Sequence, residues 1–257
     1  MGKTRFDFNG QTVLVTGATR GIGRGIAEAF AEAGAFVYLI GTNGERGAAA
    51  EQAIRERGGH ARFLPCDVTV SRQVSKTFER VLAESGRLDV LVNNAGGWKN
   101  QQSIAETPEE EWDAVVALNL KSVFLCAKAA APIFMRQRSG RMINISSIGS
   151  LTIAGKSYSS PPYIASKAAV NSLTRLIAAE LGEYGVTANA LAPSTTVSER
   201  VMTVRSAAQR GSLENRTALG RLAQIEDIAY WALFLAAPES AYLIGQTLSV
   251  NGGRFMA

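Results

Sequence analysis

The sequence predicts a doubly wound α/β fold, one parallel sheet flanked by helices. Three observations predict it. Short runs rich in Val, Ile and Leu alternate with helical segments along the chain. The first run leads into a glycine-rich turn and then a helix. No linker, repeat or low-complexity stretch divides the 257 residues, so 1–257 reads as a single domain. Apolar strands of this kind suit a parallel sheet buried on both faces, and right-handed crossovers make it doubly wound.

The elements follow in order. TVLVTG (12–17) is the first strand, and the helix GIAEAFAEAG (25–34) follows its turn. FVYLIG (36–41) precedes a helix around AAAEQAIRERG (48–58). ARFLPCD (61–67) leads to a helix from about Ser71 to Glu84, and LDVLVNNAG (88–96) comes next. A long helical stretch over 108–136 is expected to break near Asn119. RMINISS (141–147) is a strand, and a helix begins near Pro162 and ends near Gly182. VTANALAP (186–193) is a strand, 224–236 a helix and QTLSVNGG (246–253) the last strand. The polar stretch 194–222 shows no clear strand. Lying past a strand's C-terminal end, it reads as a lid over a substrate.

Composition narrows the function. Hydrophobic residues make up 46% and charged residues 19%, the balance of a soluble globular chain rather than a disordered one. No apolar window approaches the ~20 residues of a membrane span, and the N-terminus lacks a signal peptide's apolar core. Position 6 is Phe6, where a myristoylation signal wants Ser or Thr. Net charge is +5, but the basic residues are dispersed among acids, so no nucleic-acid partner is expected. The densest groups are Arg136, Arg138 and Arg141, and the run Arg205, Arg210, Arg216, Arg221. Both read as solvated faces; a hold on an anionic substrate stays open. Cys66, Cys126 and the single His60 have no metal-ligand spacing, so no metal site is expected. The cysteines read as small buried hydrophobes in a reducing, cytoplasmic setting.

The turn TGATRGIG (16–23) carries chemistry. Its glycines, Gly17, Gly21 and Gly23, allow a tight turn and close backbone approach. The helix N-terminus behind them offers N–H groups and partial positive charge to a diphosphate. Thr19, Arg20 and Ile22 complete that cofactor-facing set. The second strand ends Ile40-Gly41-Thr42-Asn43, without the acid that would grip the ribose hydroxyls of NAD. Arg20 and Arg46 are available instead. That combination favours the 2′-phosphate of NADP over NAD, since Arg binds phosphate through charge-assisted bonds.

In PPYIASKAAV (161–170), Tyr163 and Lys167 stand one helical turn apart on one face. A phenol titrates near ~10 unperturbed, and a nearby cation favours its ionised form. By spacing alone the pair fits both a tuned proton donor and an ordinary solvated helix face.

Taken together, the motifs resemble the short-chain dehydrogenase/reductase family. They are TGATRGIG (16–23), CDV (66–68), NNAG (93–96), Asn119, NISS (144–147), YIASK (163–167), NALAP (189–193) and GQTLSVNGG (245–253). They span nearly the whole chain in family order, and the ordered set is highly specific. The resemblance implies a Rossmann-like sheet of about seven strands and a small carbonyl or alcohol substrate. It implies that Asp67 and Val68 contact the adenine, and that Asn94, Ala95 and Gly96 wall the cofactor. Ser147, the second of an adjacent serine pair, would hydrogen-bond the substrate carbonyl. Tyr163 would exchange the proton with the carbonyl oxygen. Lys167 would lower the tyrosine's pKa and bind the nicotinamide ribose. Asn119 would hold a helix kink and a proton-relaying water. Thr196 and Ser198 would contact the nicotinamide carboxamide.

Two departures stand out. Ser194 occupies the place of the family's glycine after the sixth strand's proline, and the loop between Ser147 and Tyr163 is about three residues longer than the family spacing. Tyr158, a rival phenol, has Pro162 four residues on and so lacks a lysine partner; it reads as a loop contact. Trp98 and Trp112 read as packing residues, with Trp98 also placed to line the pocket. The leading expectation is an NADP-dependent carbonyl reductase or alcohol dehydrogenase. The alternatives are a 3-oxoacyl-carrier-protein reductase, for which the Arg136 group could meet an acidic carrier, and a non-catalytic dinucleotide-binding regulator. The resemblance further implies a homo-oligomer, a tetramer, formed through the helices at 108–136 and 163–182.

Overall fold

In the computed structural model, which describes residues 6–153 and 160–256, each strand except the last is followed by a helix that returns over the sheet. Strands β1 (Thr12–Thr16), β2 (Phe36–Gly41), β3 (His60–Pro65), β4 (Val90–Asn93), β5 (Gly140–Ile145), β6 (Val186–Pro193) and β7 (Thr247–Val250) are all parallel. Among the described residues they form one sheet in the order β3-β2-β1-β4-β5-β6-β7. The order reverses between β1 and β4. There the crossovers leave toward opposite faces and open a crevice at the strands' C-terminal ends.

Burial explains why the central strands read as continuous apolar runs. Every residue of β1, β4 and β6 is buried, with helices on both faces. One core face joins Val13, Val15 and Val37 to Phe8, Ile26 and Phe30 and to Ile228 and Leu233. The other joins Leu14, Leu91 and Met142 to Phe78, Phe134, Ile177 and Leu181. The helices are α1 (Gly21–Glu32), α2 (Gly44–Glu56), α3 (Ser71–Ser85), α4 (Glu109–Val116), α5 (Ser122–Gln137), α6 (Pro161–Leu181), α7 (Glu199–Val204), α8 (Ala207–Glu214) and α9 (Ile225–Ala236).

The structure departs from the sequence reading in four places. First, α1 and α2 begin about four residues early, because their first turns hold glycines that carry no helical periodicity. Second, 194–222 contains two short capped helices: Ser198 accepts from Val201 N–H, and Ser206 forms a capping box with Gln209. Third, the helical run Glu109–Gln137 is long and apolar enough to cross a membrane by length and composition. Its apolar residues serve the core, since Val123, Leu125, Cys126, Ala130, Ile133 and Phe134 are buried in the fold. Fourth, the Arg136 group lies at the wrong end for the site. Arg138 and Arg141 flank the start of β5, about 17 Å from its C-terminal end by strand rise. There Arg138 donates to Glu183 O at 3.0 Å and sits over the Tyr184 ring.

The expected break in the long helix is a π turn over Ala117–Lys121. Ser122 N–H reaches back to Ala117 O, one residue further than in an α-helix. The Asn119 side chain takes over a ladder position, its Nδ2 donating to Val115 O at 2.8 Å. Tyr158, with the rest of 154–159, lies outside the described residues.

Candidate active site

A cleft of about 1490 Å³ runs along the C-terminal ends of the strands. Of the sequence-predicted residues, Gly17, Thr19, Arg20, Gly21, Ile22, Gly23 and Thr42 line it at one end. Asp67, Val68, Asn94, Ala95 and Gly96 line it beside them. Ser147, Tyr163, Lys167 and Thr196 line the other part, and Ser198 lines the cleft against the glycine turn, its Cβ 3.8 Å from a Cβ built on Gly21. Asn119 does not; it is fully buried behind Gly96 and Gly97.

The glycine turn is held from β4. Thr16 Oγ1 accepts from Asn94 N at 2.9 Å and Ala95 N at 3.0 Å. Asn94 Nδ2 returns bonds to Thr16 O at 2.9 Å and Gly17 O at 3.2 Å. Gly17 adopts φ +64°, and a Cβ there would meet Ala95 Cα at 2.9 Å. The turn thus needs glycine for conformation and for space. Helix α1 has no side-chain cap and no acid in its first turn. Its leading N–H groups stand open to the cleft beside Gly21, Ile22 and Gly23. A dinucleotide's diphosphate fits this uncapped cradle. At the far end of β2, Arg20 and Arg46 line the cleft with Thr42 and Asn43, with no acid among those four. Asp67 Oδ1 accepts from Thr69 N and Oγ1 at 2.9 and 2.7 Å, which fixes that carboxylate at the wall.

The two serines after β5 separate by task. Ser146 is buried and donates to Lys167 O at 3.1 Å, tying the strand end to α6. Ser147 is extended and faces the cleft, its Oγ accepting from Gly149 N at 3.2 Å. Below them a buried polar chain spans three elements. Asn93 Nδ2 donates to Asn144 Oδ1, and Asn144 Nδ2 donates to Thr174 Oγ1, each at 2.8 Å. These links fix β4, β5 and α6 relative to one another, a role the sequence reading missed because it depends on which strand and helix lie side by side.

Helix α6 opens with Pro161 and Pro162 in its first turn, where absent N–H groups cost nothing. Tyr163 follows directly, and with Lys167 one turn further on it faces the cleft. Lys167 Nζ donates to Ile145 O at 2.6 Å and lies 5.7 Å from the Tyr163 ring centre. Burial pulls the lysine's pKa down from 10.5 to about 8. Asn119 Oδ1 accepts from Gly97 N, and Nδ2 donates to Gly97 O, both at 2.8 Å. A Cβ on Gly96 would lie 2.7 Å from Asn119 Oδ1 and 3.1 Å from Lys167 Nζ, so only glycine passes between them. Trp98 packs against Tyr163 with ring centres 6.3 Å apart and lines the cleft, whereas Trp112 is partly exposed on α4 rather than packed. Chemically, the arrangement pairs a phenol with a buried amine and a serine hydroxyl on one wall, beside a diphosphate cradle.

Among the cleft residues the sequence reading missed is Arg254, which directly follows the motif GQTLSVNGG (245–253) but is no part of it. With Arg205 and Arg216 it lines the cleft.

Comparison with known proteins agrees with this geometry. A family model described as Enoyl-(Acyl carrier protein) reductase matches residues 17–254. The short-chain reductase protein NovJ of Streptomyces niveus is 38% identical over 247 residues, 94% of this chain and 92% of that protein. The 3-oxoacyl-[acyl-carrier-protein] reductase FabG of Escherichia coli is 38% identical over 252 residues, 97% of this chain and 99% of its own. Among solved structures, a short-chain type dehydrogenase/reductase from Mycobacterium ulcerans superposes with a TM-score of 0.91 at 32% identity, covering 97% of this chain and 91% of that one.

Proposed function

The chain belongs to the short-chain dehydrogenase/reductase family, and on that footing we propose an NADP-dependent reductase of carbonyl compounds that also oxidises the matching secondary alcohols. Membership makes it an NAD(P)-linked oxidoreductase acting on CH–OH or C=O groups, so the non-catalytic alternative falls away. One observation carries the finer reading: Ser147, Tyr163 and Lys167 share a cleft wall with an uncapped helix N-terminus whose flank presents Arg20 and Arg46.

A nicotinamide cofactor held by these residues would supply the hydride in reduction and accept it in oxidation. The chain's own groups handle the rest. Tyr163 donates a proton to the carbonyl oxygen, or takes one from the alcohol, and Ser147 hydrogen-bonds that oxygen. Lys167, charged, favours the phenolate after transfer. Asn119 acts one layer back as a positioning residue, holding Gly97 and the π turn against α6. Asn94, Ala95 and Gly96 form the cofactor wall, Asp67 and Val68 meet the adenine, and Thr196 and Ser198 meet the carboxamide. Arg20 takes the 2′-phosphate near Thr42. The segment 194–222 is the lid.

The FabG relatives favour a narrower reading, 3-oxoacyl-carrier-protein reductase, by identity alone. The Arg136 group lends it nothing, lying at the far end of the sheet. A homotetramer is part of the proposal. Phe124 on α5 and Leu176 on α6 are 47% and 53% exposed, and Tyr230, Trp231 and Tyr242 form a second exposed apolar set. Two self-complementary faces are what a closed tetramer buries. Both free thiols suit a cytoplasmic setting. The test is a screen of carbonyls and alcohols that follows nicotinamide absorbance, run on wild type and Tyr163→Phe. The reading expects turnover in the first and none in the second; near-normal turnover in the variant would overturn it.

A further inference from the structure

The cleft carries charge that the hydride-transfer chemistry does not use. Three arginines reach it from separate elements: Arg205 at the end of α7, Arg216 just after α8, and Arg254 in the tail beyond β7. The tail is built to hold Arg254 in place. Asn251 is buried and donates to Ser249 Oγ at 2.6 Å and Phe255 O at 2.8 Å, while its Oδ1 accepts from Gly253 N at 2.8 Å. Leu219 N donates to Gly252 O at 3.1 Å, pinning the tail to the segment behind α8.

Gathering these cations is unfavourable by itself. Burial lowers the basicity of Arg254, and the charges of Arg216 and Arg205 lower it further. Seven arginines elsewhere, Arg24, Arg55, Arg57, Arg62, Arg80, Arg87 and Arg221, meet carboxylates, while others among the described residues, such as Arg46 and Arg72, do not. Among the described residues Arg205 and Arg254 form no ion pair, though Glu199 lines the cleft on the same lid.

Sheet order sets Arg254, in the tail beyond β7, apart from the cofactor's phosphates, whereas Ser198, at the head of the helix that ends at Arg205, stands 3.8 Å from a Cβ built on Gly21 in the cradle. The adenosine end lies beyond β2, five strand positions from β7, or about 24 Å at ordinary strand spacing. The diphosphate cradle at β1 and β4 is still at least three positions away, about 14 Å. An anion placed near Arg254 therefore belongs to the substrate.

We propose that the substrate is a carbonyl or alcohol compound carrying a carboxylate or phosphate at a distance from the reacting carbon, and that Arg205, Arg216 and Arg254 hold that anion. The inference rests on the hydride-transfer reading of the same cleft. Arginine suits the task because its planar fork binds either oxyanion through paired bonds. The arginines act as specificity residues, orienting the far end of the substrate so that its carbonyl meets Tyr163 and Ser147.

The probe is a graded series of methyl ketones that end in a carboxylate, their methyl esters, and phosphate-ended counterparts. NADPH oxidation is followed with wild type, Arg205→Gln and Arg254→Gln. The best acid should exceed its own ester in kcat/KM by about tenfold or more, and each variant should erase most of that ratio. The phosphate arm shows which anion is preferred. Equal turnover of acids and esters by the wild type overturns the inference and leaves the reductase reading standing. So does a ratio that survives both substitutions. Cofactor affinity, read from NADPH fluorescence, guards the assignment: a matching loss there gives the arginines to the cofactor and overturns the inference. A binding arm is independent of turnover. Calorimetric titration of the same acids and esters into cofactor-loaded Tyr163→Phe should show an acid preference that an added Arg254→Gln removes. Acid preference in binding without turnover of any compound by the wild type keeps the anion site and sinks the reductase reading instead.

Discussion

The Lys167 ammonium stands 5.7 Å from the centre of the Tyr163 ring while donating to Ile145 O at 2.6 Å. The carbonyl at the end of β5 therefore fixes where the cation sits relative to the phenol. A cation at that range favours an ionised phenol. Removing it in Lys167→Ala should move the acidic limb of the pH–rate profile for alcohol oxidation to higher pH, and should also weaken cofactor binding. An unmoved limb would contradict the proton role assigned to the pair.

Burial gives the same lysine a measurable signature in stability. Its folded pKa is about 8 against an ordinary 10.5, so between those values the unfolded chain holds the proton more tightly. Stability then rises with pH across that window, and the burden of the charge is full below pH 8. The unfolding free energy of cofactor-free wild type, taken relative to Lys167→Met, should increase by up to about 3 kcal/mol between neutral pH and the top of the window. Urea titrations at the two ends check it, and a flat difference would count against a charge buried in this way.

Cofactor choice rests on Arg20. In Arg20→Ala, NADP affinity should fall about tenfold while NAD affinity barely changes, since a charge-assisted bond contributes about 1.5–3 kcal/mol. Added salt should shrink the difference, because Arg20 is exposed. Equal affinity of the wild type for both cofactors, measured by fluorescence titration, would refute the assignment.

Asn119 is expected to matter for stability first. Asn119→Ala leaves Gly97 N–H, Gly97 O and Val115 O without their partner, the first two half-buried and the third buried. At about 1–3 kcal/mol for each abandoned group, the loss should reach several kcal/mol and lower Tm clearly. Hydrogen exchange should show the π turn opening earlier than the rest of the helix. A Tm within a degree or so of wild type would mean that the turn does not depend on this amide.

Assembly is tested at Leu176, more than half exposed on α6, with exposed Ala179 beside it one turn nearer the helix end. Leu176→Arg should leave the circular dichroism of the subunit intact and halve the mass seen by light scattering. A wild-type monomer at micromolar concentration would end the tetramer proposal.

The strand and helix sequence was legible because it is written locally. Apolar runs of strand length, the glycine turn at 16–23 and the spacing of Tyr163 and Lys167 each depend on neighbours in the chain. Even the irregularity at Asn119 was legible, as an amide in the middle of an apolar helix. The first turns of α1 and α2 were not, since glycine carries no periodicity.

What the tertiary structure alone decided is which ends meet. The two arginine groups looked alike in sequence. The parallel sheet sent Arg138 and Arg141 to the N-terminal end of β5, and it brought Arg205 and Arg216 to the cleft with Arg254 from 38 and more residues further on. It also made Thr16 the anchor of the Asn94 loop, 78 residues away, and set Asn119 behind Gly96 rather than in the cleft. The reason is physical: hydrophobic periodicity fixes each element and its buried face, whereas contacts between element ends follow from strand order, which no local pattern encodes.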